Sequence, residues 1–281
     1  METIIGLGGA GCAIAKQFQE YPQYQVYLID TEKHDHHKYL HIPEQKTHQE
    51  YEQACPPSDE FFDDVGGSCL FVMSGAGKLS GASLRLLYSL RAHNVSILYV
   101  HPDADDLQGE VLMRHNLNFG VLQQYARSGL FNKMYLVQNS KLEEILDDLP
   151  VIGYFKKIND YMVSTIHMIN VFANTSSEFD TFRDCDESAR IVTFGIVDPE
   201  TVEEKLFFDL KMPREKRYYY GINRTELETD GSLLKKVKEN IRNKLDGLTK
   251  VYYGIFSTNY ESSYGYCCFS SSLIQTEVGE G

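Results

Sequence analysis

Short apolar runs recur along the first half of the chain, and most end in a glycine or a polar turn. Thr3–Leu7, Tyr24–Asp30, Ser68–Met73, Val95–Val100 and Lys133–Val137 each read as a buried strand. Helix-compatible stretches over 10–21 and 81–93 lie between them. Strands alternating with helices predict a parallel sheet covered on both faces. The alternation lapses from Asp30 to Gly66. That stretch is polar, rich in histidine (His34, His36, His37, His41) and broken by Pro43, Pro56 and Pro57. It reads as a loop-rich insertion holding a helix around 44–54.

From about 150 to 171 the pattern changes. Ile152, Phe155, Ile158, Met162, Ile166 and Ile169 recur every three or four residues, which predicts one long helix. Beyond it, strand-like runs at 191–197, 217–223, 251–257 and 264–274 alternate with helix signals at 199–210 and 230–245. The fold class expected is α/β. A parallel-sheet domain (1–149) is followed by a central helix (150–174) and a smaller α+β domain (175–281).

Charge sharpens this picture. Lys and Arg total 27 against 40 Asp and Glu, a formal charge of −13. Such a surface repels nucleic-acid backbones, so no nucleic-acid partner is expected from charge attraction. A small phosphorylated ligand held by backbone amides remains compatible. Six cysteines without CxxC spacing read as reduced thiols of a cytoplasmic protein. The apolar N-terminus reads as a first strand, and no run of roughly 18 apolar residues predicts membrane insertion.

Candidate chemistry lies in the glycines. Gly6, Gly8 and Gly11 form G-x-G-x-x-G after the first strand and at a helix start, with Gly9 between them. A phosphate can approach such a backbone closely, and the helix N-terminus offers it free N–H groups. Asp30 closes the second strand 19 residues after Gly11. It reads either as a ribose-binding acid, the mark of an NAD-dependent oxidoreductase, or as a turn cap. A second glycine turn, 74–83, follows the third strand and contains Gly75, Gly77, Lys78, Ser80 and Gly81. It lacks the Walker A spacing. Two such turns on one sheet can grip a polyphosphate from both sides. The histidine cluster reads as a solvated loop, so no metal ligands are assigned. The tyrosines Tyr218, Tyr219, Tyr220, Tyr252 and Tyr253 read as packing of the second domain.

In this order of features the chain resembles the tubulin/FtsZ superfamily over nearly its whole length. Gly8–Gly9–Ala10–Gly11–Cys12 is similar to the family's first phosphate loop, and the 71–102 stretch to the signature loop of FtsZ with the strand beyond it. Leu79 and Ser83 stand where that family has glycine. Gln108–Gly109 matches a Glu-Gly pair at the ribose. LVQNSKL and YFKKIND resemble the segments that hold the base, which places Asn139, Phe155 and Asn159 around a guanine. The spacing of four puts Phe155 and Asn159 on one helix face.

The resemblance implies GTP or GDP as ligand, with Mg2+, and head-to-tail assembly with copies of the chain itself. It also implies an acid after the central helix that reaches the next subunit's nucleotide and orients the attacking water. Asp180 and Glu178 are the candidates, with Thr181 at the family's catalytic position in one alignment. The chain stops soon after its last predicted strand, so no adaptor-binding tail peptide is expected. Two other readings stay open: a non-hydrolysing structural member of the same fold, and the NAD-linked enzyme. Cell division and the positioning of plasmid or phage cargo fit the sequence equally.

Overall fold

The computed structural model describes residues 1–103 and 107–276. They divide into two compact units. The first is Met1–Val163, rejoined by the chain from Ile274 onward; the second is Ser164–Leu273.

The first unit runs β1 (Thr3–Leu7), α1 (Gly8–Gln17), β2 (Gln25–Asp30), β3 (Tyr39–His41), α2 (His48–Ala54), β4 (Ser68–Met73), α3 (Ser83–Ser89), β5 (Asn94–His101), α4 (Gly109–Arg127), β6 (Lys133–Gln138) and α5 (Asn139–Leu146). Its strands lie in the order β3-β2-β1-β4-β5-β6 and pair in parallel throughout. All five residues of β1 and all but the first of β4 and β5 are buried, so both faces of the sheet are covered. This explains why these strands read as unbroken apolar runs. The chain builds outward from β1 to β2 and β3, then returns to add β4 on the other side of β1. The strand order therefore reverses between β1 and β4, and a crevice opens at the carboxyl ends of strands at such a point.

The insertion is more ordered than its composition suggests. Three residues of β3 add to the edge of β2, with Leu28 opposite Tyr39. Thr47 and Glu50 form a reciprocal cap at the start of α2: Glu50 N donates to Thr47 Oγ1 (3.2 Å), and Thr47 N to Glu50 Oε2 (3.3 Å). Near the chain's end, Gln123 on α4 clasps Gln275. Gln123 Nε2 donates to Gln275 O (3.0 Å), and Gln275 N donates to Gln123 Oε1 (2.7 Å).

The long helix is α6 (Tyr154–Ala173). It starts later than its apolar pattern suggests, because Gly153 takes a left-handed turn (φ 81°) just before it. Its 20 residues span about 30 Å. The boundary between the two units falls inside it.

The second unit continues with β7 (Phe179–Asp180), β8 (Ile191–Val197), β9 (Glu204–Leu206), β10 (Glu215–Asn223), α7 (Arg224–Thr229), α8 (Leu233–Arg242), β11 (Lys250–Thr258) and β12 (Tyr264–Ser271). The order is β8-β12-β10-β11-β7, with β9 on the free side of β8. Only β10 and β11 run parallel, joined by the crossover that carries α7 and α8. The helix expected at 199–210 is instead a hairpin. Asp198 Oδ1 accepts from Glu200 N and Thr201 N, and Val202 turns at φ 61°. The chain then returns as β9 along β8, where Gly195 admits the carbonyl of Lys205. Tyr218 and Tyr220 are buried in this unit. Tyr218 Oη donates to Glu204 Oε1 (2.6 Å), and burial first, then this bond, holds the phenol pKa far above its usual value.

No helix among the described residues is long and apolar enough to cross a membrane.

Candidate functional site

The crevice between β1 and β4 is where the two glycine turns meet. In the first turn Gly8 opens α1 with φ 71°, a conformation that L side chains rarely adopt. Gly6 and Gly11 serve packing. A Cβ on Gly6 would lie 2.5 Å from Gly11 O, and one on Gly11 would lie 2.5 Å from Val72 O. Nothing lies within 4 Å of where a Cβ on Gly9 would sit, and Gly9 and Ala10 are exposed. These two residues present the open amides of a helix start. Cys12 points inward, its Sγ 3.4 Å from Gly6 O and 3.5 Å from Ile29 O. Burial, with Asp30 nearby, pushes its thiol up to about 12. Its side chain is therefore a neutral filler beneath the turn.

The second turn is built differently. Gly75 sits on the Tyr99 hydroxyl, which would lie 1.9 Å from a Cβ there. Gly81 lies under His48 of α2, whose carbonyl oxygen would be 2.0 Å from a Cβ. Ser80 donates its hydroxyl to Gly77 O (2.6 Å), and Asn118 Nδ2 donates to Ser80 Oγ (2.9 Å) and to Gly75 O (3.0 Å). Ser80 and Gly81, both expected at a phosphate, are thus buried and engaged in holding the turn. Gly77 and Lys78 remain open: nothing approaches a Cβ on Gly77, and Lys78 is exposed. Leu79 is only 9% exposed and leans across the crevice, its Cδ2 3.7 Å from where a Cβ of Gly8 would be.

Below the second turn, one proton per link orders a buried chain. His101 Nδ1 donates to Pro102 O (2.7 Å), so its Nε2 accepts from His115 Nε2 (3.2 Å). His115 Nδ1 then accepts from the Tyr99 hydroxyl (2.9 Å). Burial first, then His101, lowers the His115 pKa to about 4.

At the end of β2, Asp30 is 4% exposed and already occupied. It accepts from Thr31 N (2.8 Å) and from His34 Nε2 (3.0 Å). Lys16 Nζ donates to His34 Nδ1 (2.8 Å), which fixes Nε2 as the protonated ring nitrogen. Cys12, Asp30 and His34 place donor atoms within 4.8 Å of one another. A metal ion there would have to displace both Lys16 and the Asp30–His34 bond. Each oxygen of the Asp30 carboxylate thus already accepts one hydrogen bond from its own loop.

Farther along the sheet, Asn139 begins α5 directly after β6, and its Oδ1 is buried with no hydrogen-bond partner. Such an acceptor carries a desolvation penalty unless a ligand donates to it. Phe155 lies in the first turn of α6 with 65% of its surface exposed, and Asn159, one turn on, is buried. Gln17 Nε2 donates to Lys156 O (3.4 Å), tying the end of α1 to this turn. Gln108 precedes α4, and Gly109 opens it with φ 55°.

Asp180 and Glu178 lie in the second unit. Asp180 is in the edge strand β7, opposite Gly254 of β11, and Glu178 N donates to Ile255 O (2.9 Å). Both residues are exposed. Asp180 Oδ1 accepts from Phe182 N (3.1 Å) and Oδ2 accepts from Ser177 Oγ. Thr181 is joined to Tyr253 through both its backbone and its hydroxyl.

Three residues of the second turn's support escaped the sequence reading: His48, Arg114 and Asn118. The cap at Thr47–Glu50 is a visible signal for α2, but nothing local in the sequence says that Asn118, in mid-helix, faces a turn 38 residues earlier.

The fold can be placed among known structures. A protofilament of TubZ from Bacillus thuringiensis serovar israelensis in its GTPγS form superposes with a TM-score of 0.73 at 15% identity, covering 95% of this chain and 86% of that one. CetZ2 from Haloferax volcanii, a GTPγS-bound protofilament, gives 0.69 at 15% identity over 96% and 92%. An empty FtsZ dimer from M. jannaschii gives 0.68 at 13% identity over 96% and 87%. No protein-family model and no curated protein matches the sequence significantly. The chain has a tubulin/FtsZ-like fold.

Proposed function

We propose that this chain binds GTP or GDP in its first unit, the triphosphate with Mg2+, and assembles head to tail with its own copies. The observation that carries the reading is the orphaned acceptor of Asn139 at the end of β6. A guanine edge offers it the N1–H and 2-amino donors, while exposed Phe155 supplies a stacking face and Asn159 a second amide. Gly8, Gly9 and Ala10 would cradle phosphate from one side and Gly77 with Lys78 from the other. Gln108–Gly109 would border the ribose. Assembly is supported by the fold's likeness to protofilament structures. A head-to-tail contact does not close on itself, so it propagates into filaments. A switch driven by GTP belongs in the cytoplasm.

For hydrolysis, the free carboxylate near β7 is that of Glu178, since Asp180 is held by Ser177 and Phe182. Glu178 is the first choice for the acid contributed to a neighbouring subunit, with Asp180 second.

A second reading has specific support. Leu79, Ser80 and Gly81 weaken the grip of the second turn on phosphate. That favours a structural member of the fold that binds nucleotide weakly and does not hydrolyse it.

Titration with labelled GTP and GDP, with ATP as competitor, separates the two. Saturable guanine-specific binding, weakened about tenfold or more by Asn139→Ala, is expected. No saturable binding sinks the first reading in favour of the second. Filaments that form with GTP and persist longer in Glu178→Ala would assign the acid.

A further inference from the structure

A cavity of about 420 Å³ lies on the first unit, between the start of α2 and α4. Met113 and Leu117, one turn apart on α4, form an apolar wall and are 73% and 58% exposed. His48 and Arg114 supply the polar side, with Lys46 at the rim. Two apolar side chains and a polar remainder line it, with the exposed carboxylate of Glu110 also at the rim, and the volume is that of a small-ligand site.

Arg114 makes the cavity specific. Its side chain is only 16% exposed. Nevertheless its two partners are distant: Nε donates to Ala76 O at 3.4 Å, and Nη1 lies 3.9 Å from Glu110 Oε2, a carboxylate that is itself 93% exposed. A guanidinium has five N–H donors in a planar fork and binds carboxylates in pairs of hydrogen bonds. Here a largely desolvated fork faces an apolar wall with most of that capacity unused.

We propose that this cavity binds a small organic carboxylate with an apolar body, and that the ligand acts as an effector of the second glycine turn. The carboxylate takes the Arg114 fork and the apolar body covers Met113 and Leu117. Coupling follows from what the cavity walls touch. Arg114 reaches Ala76 O, the His48 carbonyl covers Gly81, and Asn118, one turn along α4, holds Gly75 and Ser80. A ligand that fixes Arg114 and His48 therefore stiffens residues 76–82. The inference concerns the turn itself and does not depend on the nucleotide reading.

The test is a titration of the full chain with octanoate, followed by the Met113 resonance in protein carrying labelled methionine methyls. n-Octanol is the uncharged control. A saturable shift is expected with octanoate, at least about tenfold weaker with octanol and in Arg114→Gln. Leu117→Glu sets a carboxylate at an exposed position without touching the supports of the turn. It is expected to give a similar loss, and it serves if Arg114→Gln does not fold. Octanol binding as tightly as octanoate, unchanged binding in Leu117→Glu, or no saturable shift overturns the site. Octanoate is also expected to slow amide exchange across 76–82. Binding with unchanged exchange there overturns the effector role.

Discussion

The two glycine turns look alike in sequence and differ in what their glycines do. In the first, Gly6 and Gly11 let β1, α1 and β4 touch, and Gly9 is left facing open space. In the second, Gly75 is occupied by Tyr99 and Gly81 by His48, and the hydroxyl of Ser80 is turned inward. A glycine marks a place where something comes close. Whether that is a ligand or the protein's own backbone depends on elements far away in sequence, here α2 and α4.

This contrast can be broken experimentally, beginning where the effect is largest. Gly75→Ala and Gly81→Ala each force a methyl into an occupied position and should cost roughly 3 kcal/mol or more in urea unfolding. If either variant is as stable as the parent, the second turn is not packed as described. Next comes the floor beneath that turn. Because the folded pKa of His115 is about 4, below the ordinary histidine value, the unfolded chain takes up a proton first as pH falls. The stability from keeping His115 neutral is complete above about pH 6.5 and is lost as pH falls toward 4. It amounts to about 3 kcal/mol over that window. Urea midpoints at pH 7 and pH 5 should differ more in the parent than in His115→Gln, and equal slopes would refute the buried chain.

Asn118→Ala removes the donors to Gly75 O and Ser80 Oγ and should cost about 2 kcal/mol. His48→Ala leaves the carbonyl over Gly81 intact and should cost less, which a chemical melt of the pair would check. The smallest stability effect belongs to the first turn. Gly9→Ala should change stability by no more than about 0.5 kcal/mol, since nothing surrounds that position. The same methyl should still weaken GTP binding clearly. A variant that loses stability but binds GTP normally would reverse the roles assigned to the two turns.

Much of the fold was legible because parallel strands buried on both faces leave unbroken apolar runs, as in β1, β4 and β5. The elements that escaped lack such a signature. Three residues of β3 take their register from β2, and no periodicity can show that. The buried face of α4 includes His115, Asn118 and Gln123, so the apolar pattern breaks where the helix is most enclosed. At 199–210 the residues have helical spacing, but Asp198 and Val202 close a hairpin before a helix can begin. Of the proposed site, only the local motifs were legible: the turn after β1, Asn139 at the start of α5, and the pair one turn apart on α6. Asp30 was legible as an acid at a strand end, but its bond to His34 was not, because the loop between them has no repeating pattern.

The clasp between Gln123 and Gln275 has a consequence for how the protein is made. Synthesis proceeds from the N-terminus, so α4 waits with a buried amide lacking its mate while some 150 further residues are translated. The nascent first unit must reach a near-finished state without that strap and be fastened only when Gln275 leaves the ribosome. Ribosome-stalled chains ending before Ile274 should accordingly be more open to protease around α4 than chains stalled far enough beyond Gln275 to expose it.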